Sequence, residues 1–258
     1  MAQLNERAAR GFAAQAEAYE RARPEYPAAA VDLVVAGLGL GDGSRVVDLA
    51  AGTGKLTRAL VGRGFDLVAV EPIDEMRAQL ERALPEVAVL SGLAEELPFA
   101  DASVDAVFVA QAFHWFDPSA AAIEIHRVLR PGGGLALVWN VNHYDEGWLA
   151  GLGPIYARLR ADTPGTPSWR TYAWREPLLA TGLFGPLQEA SLANDVVFTP
   201  ERVLERVASV SFVGSLPDAE REAVLAEVRE LLATHPETRG RAELLWSHHT
   251  QVFWCRAR

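Results

Sequence analysis

The sequence predicts an α/β fold, a mostly parallel sheet with helices on both faces. Three features carry this expectation. Short apolar runs alternate with helical segments through the first 140 residues, a glycine-rich turn follows the first run, and two further extended segments lie after residue 180. Continuous apolar runs suit strands buried on both faces, which is where parallel sheets occur.

The elements follow in order. Residues 5–22, rich in Ala, Glu and Arg, read as a polar helix stopped by Arg23-Pro24-Glu25-Tyr26-Pro27. Residues 28–38 form a second helix, closed by Gly39 and Gly41. The apolar runs are Arg45–Ala50, Asp66–Val70, Glu86–Leu90, Val104–Ala110 and Gly134–Trp139, with helices expected at 55–63, 74–84 and 119–129. Crossovers between such strands are right-handed. After residue 140 the alternation breaks. Residues 140–170, with Trp148, Pro154, Pro164, Pro167 and Trp169, read as irregular structure around one helix. Helices at 200–210 and 217–233 sit between extended segments at Gln188–Phe198 and Leu244–Trp254. The expected organisation is an N-terminal helical lid (1–27), an α/β core (28–140), and an elaboration (141–258) whose extended segments complete a seven-stranded sheet.

The 258 residues are half hydrophobic and 22% charged, ordinary for a globular chain able to bury its own core. The net charge is −10 and no Lys/Arg run forms a basic stripe. Nucleic acid and anionic membrane, which demand clustered cations, are therefore not the expected partners. The single cysteine, Cys255, excludes an intrachain disulfide, and Met1 to Gly11 lacks the apolar core of a secretory signal. No stretch reaches the ~18 apolar residues needed to span a bilayer. A cytoplasmic protein acting on a small molecule is expected, and no metal.

The most informative segment is Val46-Val47-Asp48-Leu49-Ala50-Ala51-Gly52-Thr53-Gly54-Lys55-Leu56-Thr57. Small residues at 50, 52 and 54 let a ligand approach the backbone, and the helix that follows offers free amides. A phosphate loop fails, because Leu56 follows Lys55 and only Thr53 separates the glycines. A Gly-x-Gly-x-x-Gly dinucleotide turn fails at Thr57. An acid before the turn with small residues through it suits S-adenosylmethionine. The second strand ends in Glu71, placed to accept hydrogen bonds from ribose hydroxyls and to repel a 2′-phosphate.

With these residues the chain resembles the class I S-adenosylmethionine-dependent methyltransferases. It is similar to the small-molecule branch that includes trans-aconitate methyltransferase-like proteins. The resemblance runs through Tyr19 to Pro27, Asp48 to Thr57, Val70-Glu71-Pro72 with Met76, Gly92 to Pro98, Ser103-Val104-Asp105, Gln111 to Phe116 and Arg127 to Gly133. Ala50 stands where the usual motif has its first glycine. The resemblance implies a Rossmann-like fold and assigns roles. Asp48, Ala50, Gly52 and Gly54 would line the methionine end. Glu71 would hold the ribose, and Pro72 and Met76 would pack near the adenine. Ala94 and Glu95 would meet the adenine edge, and Gln111 and Ala112 would sit near the transferred methyl. Tyr19 and Arg23 would belong to the lid, Arg23 pairing with the cofactor carboxylate.

Other candidates keep two readings each. His114 is a general base or a histidine anchoring a turn in the aromatic cluster Phe113-His114-Trp115-Phe116. Phe113 and Trp115 stack on substrate or belong to the core. His143 faces substrate or merely occupies a loop. His248 and His249 lie on a late strand expected to be far from the ligand crevice. At least one of Trp148, Trp169, Trp174, Phe198 and Phe212 is expected beside His114 or His143 at the methyl-facing cavity. A non-methylating protein or cyclase on the same scaffold is the alternative function.

Overall fold

The computed structural model describes residues 23–161 and 171–258. In chain order these hold α1 (Ala28–Gly37), β1 (Arg45–Leu49), α2 (Lys55–Leu60), β2 (Asp66–Val70), α3 (Asp74–Ala83), β3 (Ala88–Leu90), β4 (Val104–Ala110), α4 (Pro118–Val128) and β5 (Leu129–Asn142). There follow α5 (Leu152–Ala161), α6 (Arg175–Ala180), β6 (Gln188–Ala193), β7 (Val196–Phe198), α7 (Pro200–Ala208), α8 (Ser211–Gly214), α9 (Asp218–Thr234), β8 (Leu244–Trp246) and β9 (His248–Arg256). Residues 5–22, Tyr19 and Trp169 lie outside the described residues.

Seven strands form one sheet in the order β3-β2-β1-β4-β5-β9-β6. β1 to β5 pair in parallel, and β9 runs antiparallel to both β5 and β6. The strands bury alternate residues on opposite faces, the period-2 consequence of the pleat. Val46, Phe108 and Val138 pack with Val31 and Val34 of α1 and Leu56 and Leu60 of α2. Val47, Val107 and Leu137 pack on the other face, against Ala121 and Ile125 of α4. Asp117 caps α4 by accepting from the Ser119 and Ala120 amides, with Pro118 pre-set at the first helical position.

Three expectations are corrected. β5 is longer than Gly134–Trp139, because Arg130 to Gly133 is accommodated as an irregularity where the β4–β5 register shifts. Each late extended segment splits into two strands. β6 and β9 complete the main sheet, whereas β7 and β8 form a separate two-stranded ribbon. The breaks at Asn194-Asp195 and Ser247 are tied together: Asn194 N donates to His248 O (2.8 Å) and His248 N donates to Asp195 Oδ1 (3.1 Å). Finally, His248 and His249 are not far from the crevice. Because β9 runs antiparallel, it begins at the carboxyl edge of β5, pairing His248 with Asn142 and His249 with Val141.

The elaboration has its own hydrophobic core. Trp246 is fully buried, with Trp148 and Phe198 edge-on at 5.4 and 5.7 Å. Around them pack Tyr156, Val207, Phe212 and Val228. This second core holds the ribbon and α5, α7 and α9 together over the carboxyl edge of the sheet.

Candidate active site

Strand order reverses direction between β1 and β4, the switch point at which open α/β sheets bind ligands. A cavity opens there. At the end of β1 the chain turns through positive φ at Ala50 (54°), Gly52 (59°) and Gly54 (90°), and at the end of β4 Gln111 does the same (56°). For Ala50 and Gln111 the left-handed conformation costs roughly 1 kcal/mol each, strain that clusters at functional sites. It is held by the strand ends: Ala51 N donates to Val70 O (3.1 Å) and Gln111 N to Val138 O (2.9 Å).

Two buried carboxylates organise the floor. Glu71 ties the β1 turn to the loop after β2, its Oε2 accepting from Gly52 N (2.8 Å) and its Oε1 from Ile73 N (2.9 Å). Burial raises its pKa, and these amides together with Arg77 oppose the rise. Asp48, fully buried behind the turn, accepts from Thr57 Oγ1 at 2.6 Å. Its Oδ1 has no hydrogen-bond partner among the described residues. Burial, reinforced by the charge of Glu71, pushes the Asp48 carboxyl up to about 7 against the Thr57 hydrogen bond.

The strap from Arg23 to Pro27 crosses the opposite rim. Asn140 Nδ2 donates to Pro24 O and Glu25 O (both 3.3 Å), and Asn194 Nδ2 donates to Glu25 O (2.9 Å). Asn140 Oδ1 in turn accepts from Thr250 Oγ1 (2.6 Å). Lys55 Nζ meets Glu25 Oε1 at 2.8 Å, joining the strap to α2. Arg23 Nη2 donates to Ser209 O (3.1 Å), joining it to the end of α7.

Of the expected residues, Ala50 and Gly52 line the cavity from the end of β1, and Glu71, Pro72 and Met76 from the end of β2. Ala94 and Glu95 line it after β3, Gln111, Ala112 and Trp115 after β4, and Arg23 from the strap. Others lie elsewhere. Gly54 backs onto Leu80, where an added Cβ would come within 3.1 Å. Phe113 is buried in the core under α4. His114 sits behind the wall, with Trp139 Nε1 directed at its Nδ1 (3.5 Å), and burial lowers its pKa to about 4. His143 contacts His249 and borders a separate polar depression with Glu237 and Arg241. Trp148, Trp174, Phe198 and Phe212 are core residues rather than wall residues.

Sequence reasoning missed Tyr26, Phe116, Asn140 and Arg206, all on the cavity wall. Asn140 had a readable signal, since it directly follows the expected strand Gly134–Trp139 as Gln111 directly follows β4. Arg206 had none, being one arginine of an amphipathic helix. Among the described residues no three His, Cys, Asp or Glu side chains group as a metal site, and no helix is long and apolar enough to cross a membrane.

Comparison with known proteins places this geometry. A methyltransferase domain family matches residues 47–137. An uncharacterized methyltransferase of Mycobacterium tuberculosis is 45% identical over 225 residues, covering 87% of this chain and 86% of the relative. An uncharacterized methyltransferase-like protein of Schizosaccharomyces pombe is 35% identical over 236 residues, 91% of each chain. Among solved structures, a chain from Anaeromyxobacter dehalogenans, assigned provisionally to the type II methyltransferases, superimposes with a TM-score of 0.64 at 25% identity over 92% of this chain and 97% of that one. A Haemonchus contortus phosphoethanolamine N-methyltransferase solved with S-adenosylhomocysteine shares the fold (TM-score 0.53, 16% identity, 88% of this chain and 52% of that one). The match over nearly the whole length, together with the turn and the acid at the switch point, identifies this chain as a member of the class I S-adenosylmethionine-dependent methyltransferases.

Proposed function

We propose that the cavity binds S-adenosylmethionine and that the enzyme methylates a small molecule admitted beneath the strap and the elaboration. The observation that carries this reading is the pairing of the Ala50–Thr53 turn with the Glu71 carboxylate across the switch point. The residues fit the cofactor. A carboxylate offers about four acceptor sites, so Glu71 keeps capacity for a ribose diol beyond its two amides. Gly52 suits the floor: its φ of 59° strains any larger residue, and the bare Cα keeps side-chain atoms off the surface beside Met76.

When bound, S-adenosylmethionine supplies a methyl group already activated by a positively charged sulfur. The chain then contributes alignment and exclusion of water. Tyr26, Trp115 and Phe116 offer aromatic faces, which favour a neighbouring cation. Asp48 supports the turn from behind through Thr57. We give His114 a positioning part: neutral, with Trp139 directed at it, it steadies the turn that carries Trp115. The lone cysteine suits a reducing, cytoplasmic setting. Calorimetry with S-adenosylhomocysteine tests the reading. Glu71→Ala should weaken binding by about 1–3 kcal/mol, the penalty for stranding buried hydrogen-bonding groups. Unchanged affinity removes Glu71 from the ribose, and binding of a nicotinamide dinucleotide instead overturns the reading.

A further inference from the structure

We infer that Thr250, buried in β9 and not part of the cavity wall, is a positioning residue for the methyl transfer: through the side-chain amide of Asn140 it seats the strap that closes the cavity. Its bearing on the cofactor rests on the methyltransferase reading of the cavity.

Asn140 and Thr250 sit directly opposite each other in the antiparallel β5–β9 pair. They continue a row that is otherwise apolar. The preceding pairs on the same face, Val138 with Val252 and Ala136 with Trp254, pack in the cluster that holds Val31 and Val34 of α1. A buried amide and hydroxyl in such a row cost desolvation unless every polar group is satisfied. Here every one is. Thr250 is fully buried and Asn140 nearly so. Asn140 Oδ1 accepts from Thr250 Oγ1 (2.6 Å) and from Asn194 Nδ2 (3.1 Å), and its Nδ2 donates to Pro24 O and Glu25 O (both 3.3 Å). An amide oxygen has two lone pairs and an amide nitrogen two hydrogens, so each place on the side chain is taken. Asn140 lines the cavity, yet its side chain has nothing left to offer a ligand while the strap is seated.

The same bonds fix which way round the amide lies. Turned over, its oxygen would face the carbonyls of Pro24 and Glu25 and its nitrogen would face the Asn194 donor, and those three bonds would be lost. Thr250 contributes the shortest bond of the four and closes the network from the sheet side. Asn194, just past β6, closes it from the other, since its Nδ2 also donates to Glu25 O (2.9 Å). Fully satisfied buried networks specify one geometry. The geometry specified here is the seat of the strap: Arg23 and Glu25 tether it by side chains, and Asn140 and Asn194 hold its backbone. Seated so, the strap places Pro24 and Tyr26 on the cavity wall. The backbone of Asn140 reaches the other side of the cavity. Its carbonyl accepts from Gln111 Nε2 (3.1 Å), fixing the side chain of a wall residue whose own φ is positive. One residue therefore sets the strap against the β4 turn, and Thr250 sets that residue. Asn140, Asn194 and Thr250 all lie beyond residues 47–137, the stretch matched by the domain family.

The experiment compares the wild type with Thr250→Val, Thr250→Ser, Asn194→Ala, Asn140→Ala and the double variant Asn140→Ala/Thr250→Val. Hydrogen exchange at the Glu25 and Tyr26 amides, the dissociation rate of S-adenosylhomocysteine and the melting temperature are measured for each. Val keeps the branched shape and strand preference of Thr but cannot donate. Thr250→Val should quicken exchange at Glu25 and Tyr26 by about 3- to 10-fold, the range for one buried hydrogen bond, and release of S-adenosylhomocysteine by about the same factor. Exchange in β1 and β4 should not follow. Thr250→Ser should restore both rates. In the Asn140→Ala background Thr250→Val should change neither, because the residue through which it acts is gone. Asn194→Ala, at a half-buried position past the sheet, removes the other donor to Asn140 Oδ1 and should also quicken both, which keeps the network testable if Thr250→Val folds poorly. Unchanged strap exchange in Thr250→Val or Asn194→Ala, no rescue by Thr250→Ser, or effects that add in the double variant overturn the inference; additive effects are what a merely structural Thr250 would give. Quicker exchange with unchanged release overturns its bearing on the reaction. Failure of the wild type to bind S-adenosylhomocysteine strikes the methyltransferase reading of the cavity instead, and the exchange rates still decide the seat of the strap.

Discussion

Replacing Asp48 by Asn should stabilise the ligand-free protein at neutral pH. The native carboxyl is held at about 7 against an ordinary 3.8, chiefly because it is fully buried. The folded state therefore binds a proton more tightly than the unfolded one. Below pH 3.8 both states are protonated and the group costs nothing. Stability is lost as pH rises from 3.8 to about 7, and the loss is constant above that. At about 1.4 kcal/mol per tenfold change in proton affinity, the full cost of the charge is about 4 kcal/mol. Somewhat more than half of it accrues between pH 5 and pH 8. Asn is isosteric, cannot ionise, and can still accept from Thr57 Oγ1. Thermal unfolding of wild type and Asp48→Asn at pH 5 and pH 8 reads the effect directly. For a chain of this length 1 kcal/mol moves Tm by about 2–4 °C, so the variant's advantage should grow by about 5–10 °C between the two pH values. An advantage that does not change with pH, or that shrinks as pH rises, would refute the reasoning.

Asn140→Ala should release the strap: amide hydrogen exchange at Glu25 and Tyr26 should quicken by the equivalent of about 1–3 kcal/mol, while the sheet keeps its protection. Trp246→Ala should cost about 3–5 kcal/mol through the second core, with exchange rising first in α7, α9 and the β7–β8 ribbon rather than in β1 and β4. Cys255, buried and pushed up to about 12, should resist an aromatic disulfide reagent at pH 8 in the native state and titrate as one thiol once unfolded.

What the sequence made legible follows from range. The parallel strands, the Gly-rich turn and Glu71 are local patterns, and the structure brings them to one cavity. The positive φ of Ala50 and Gln111 was not legible, because only glycine advertises that conformation. The place of His248 and His249 depends on β9 pairing with β5 across more than a hundred residues, which no periodicity encodes. The aromatics of the elaboration are conspicuous in the sequence because they build a core of their own, and that prominence drew them toward the site. Arg206 is the converse. Its place on the cavity wall comes from burial beside Trp246, and burial of one helical arginine is decided by tertiary packing.

The insertion of β9 between β5 and β6 has a consequence for biosynthesis. β6 ends at Ala193, yet the strand it pairs with begins only at His248. At about 5–20 residues per second, a ribosome needs several seconds to supply the intervening chain. During that interval the emerged β5 presents an unpaired edge, and β6 has nothing to dock on. The parallel half of the sheet can assemble early, whereas its antiparallel half must wait. The nascent polypeptide therefore passes through a stage with two exposed strand edges, the kind that invites intermolecular pairing. A chaperone that shields extended apolar segments would find its window there, after β5 has been made and before β9 has closed the gap.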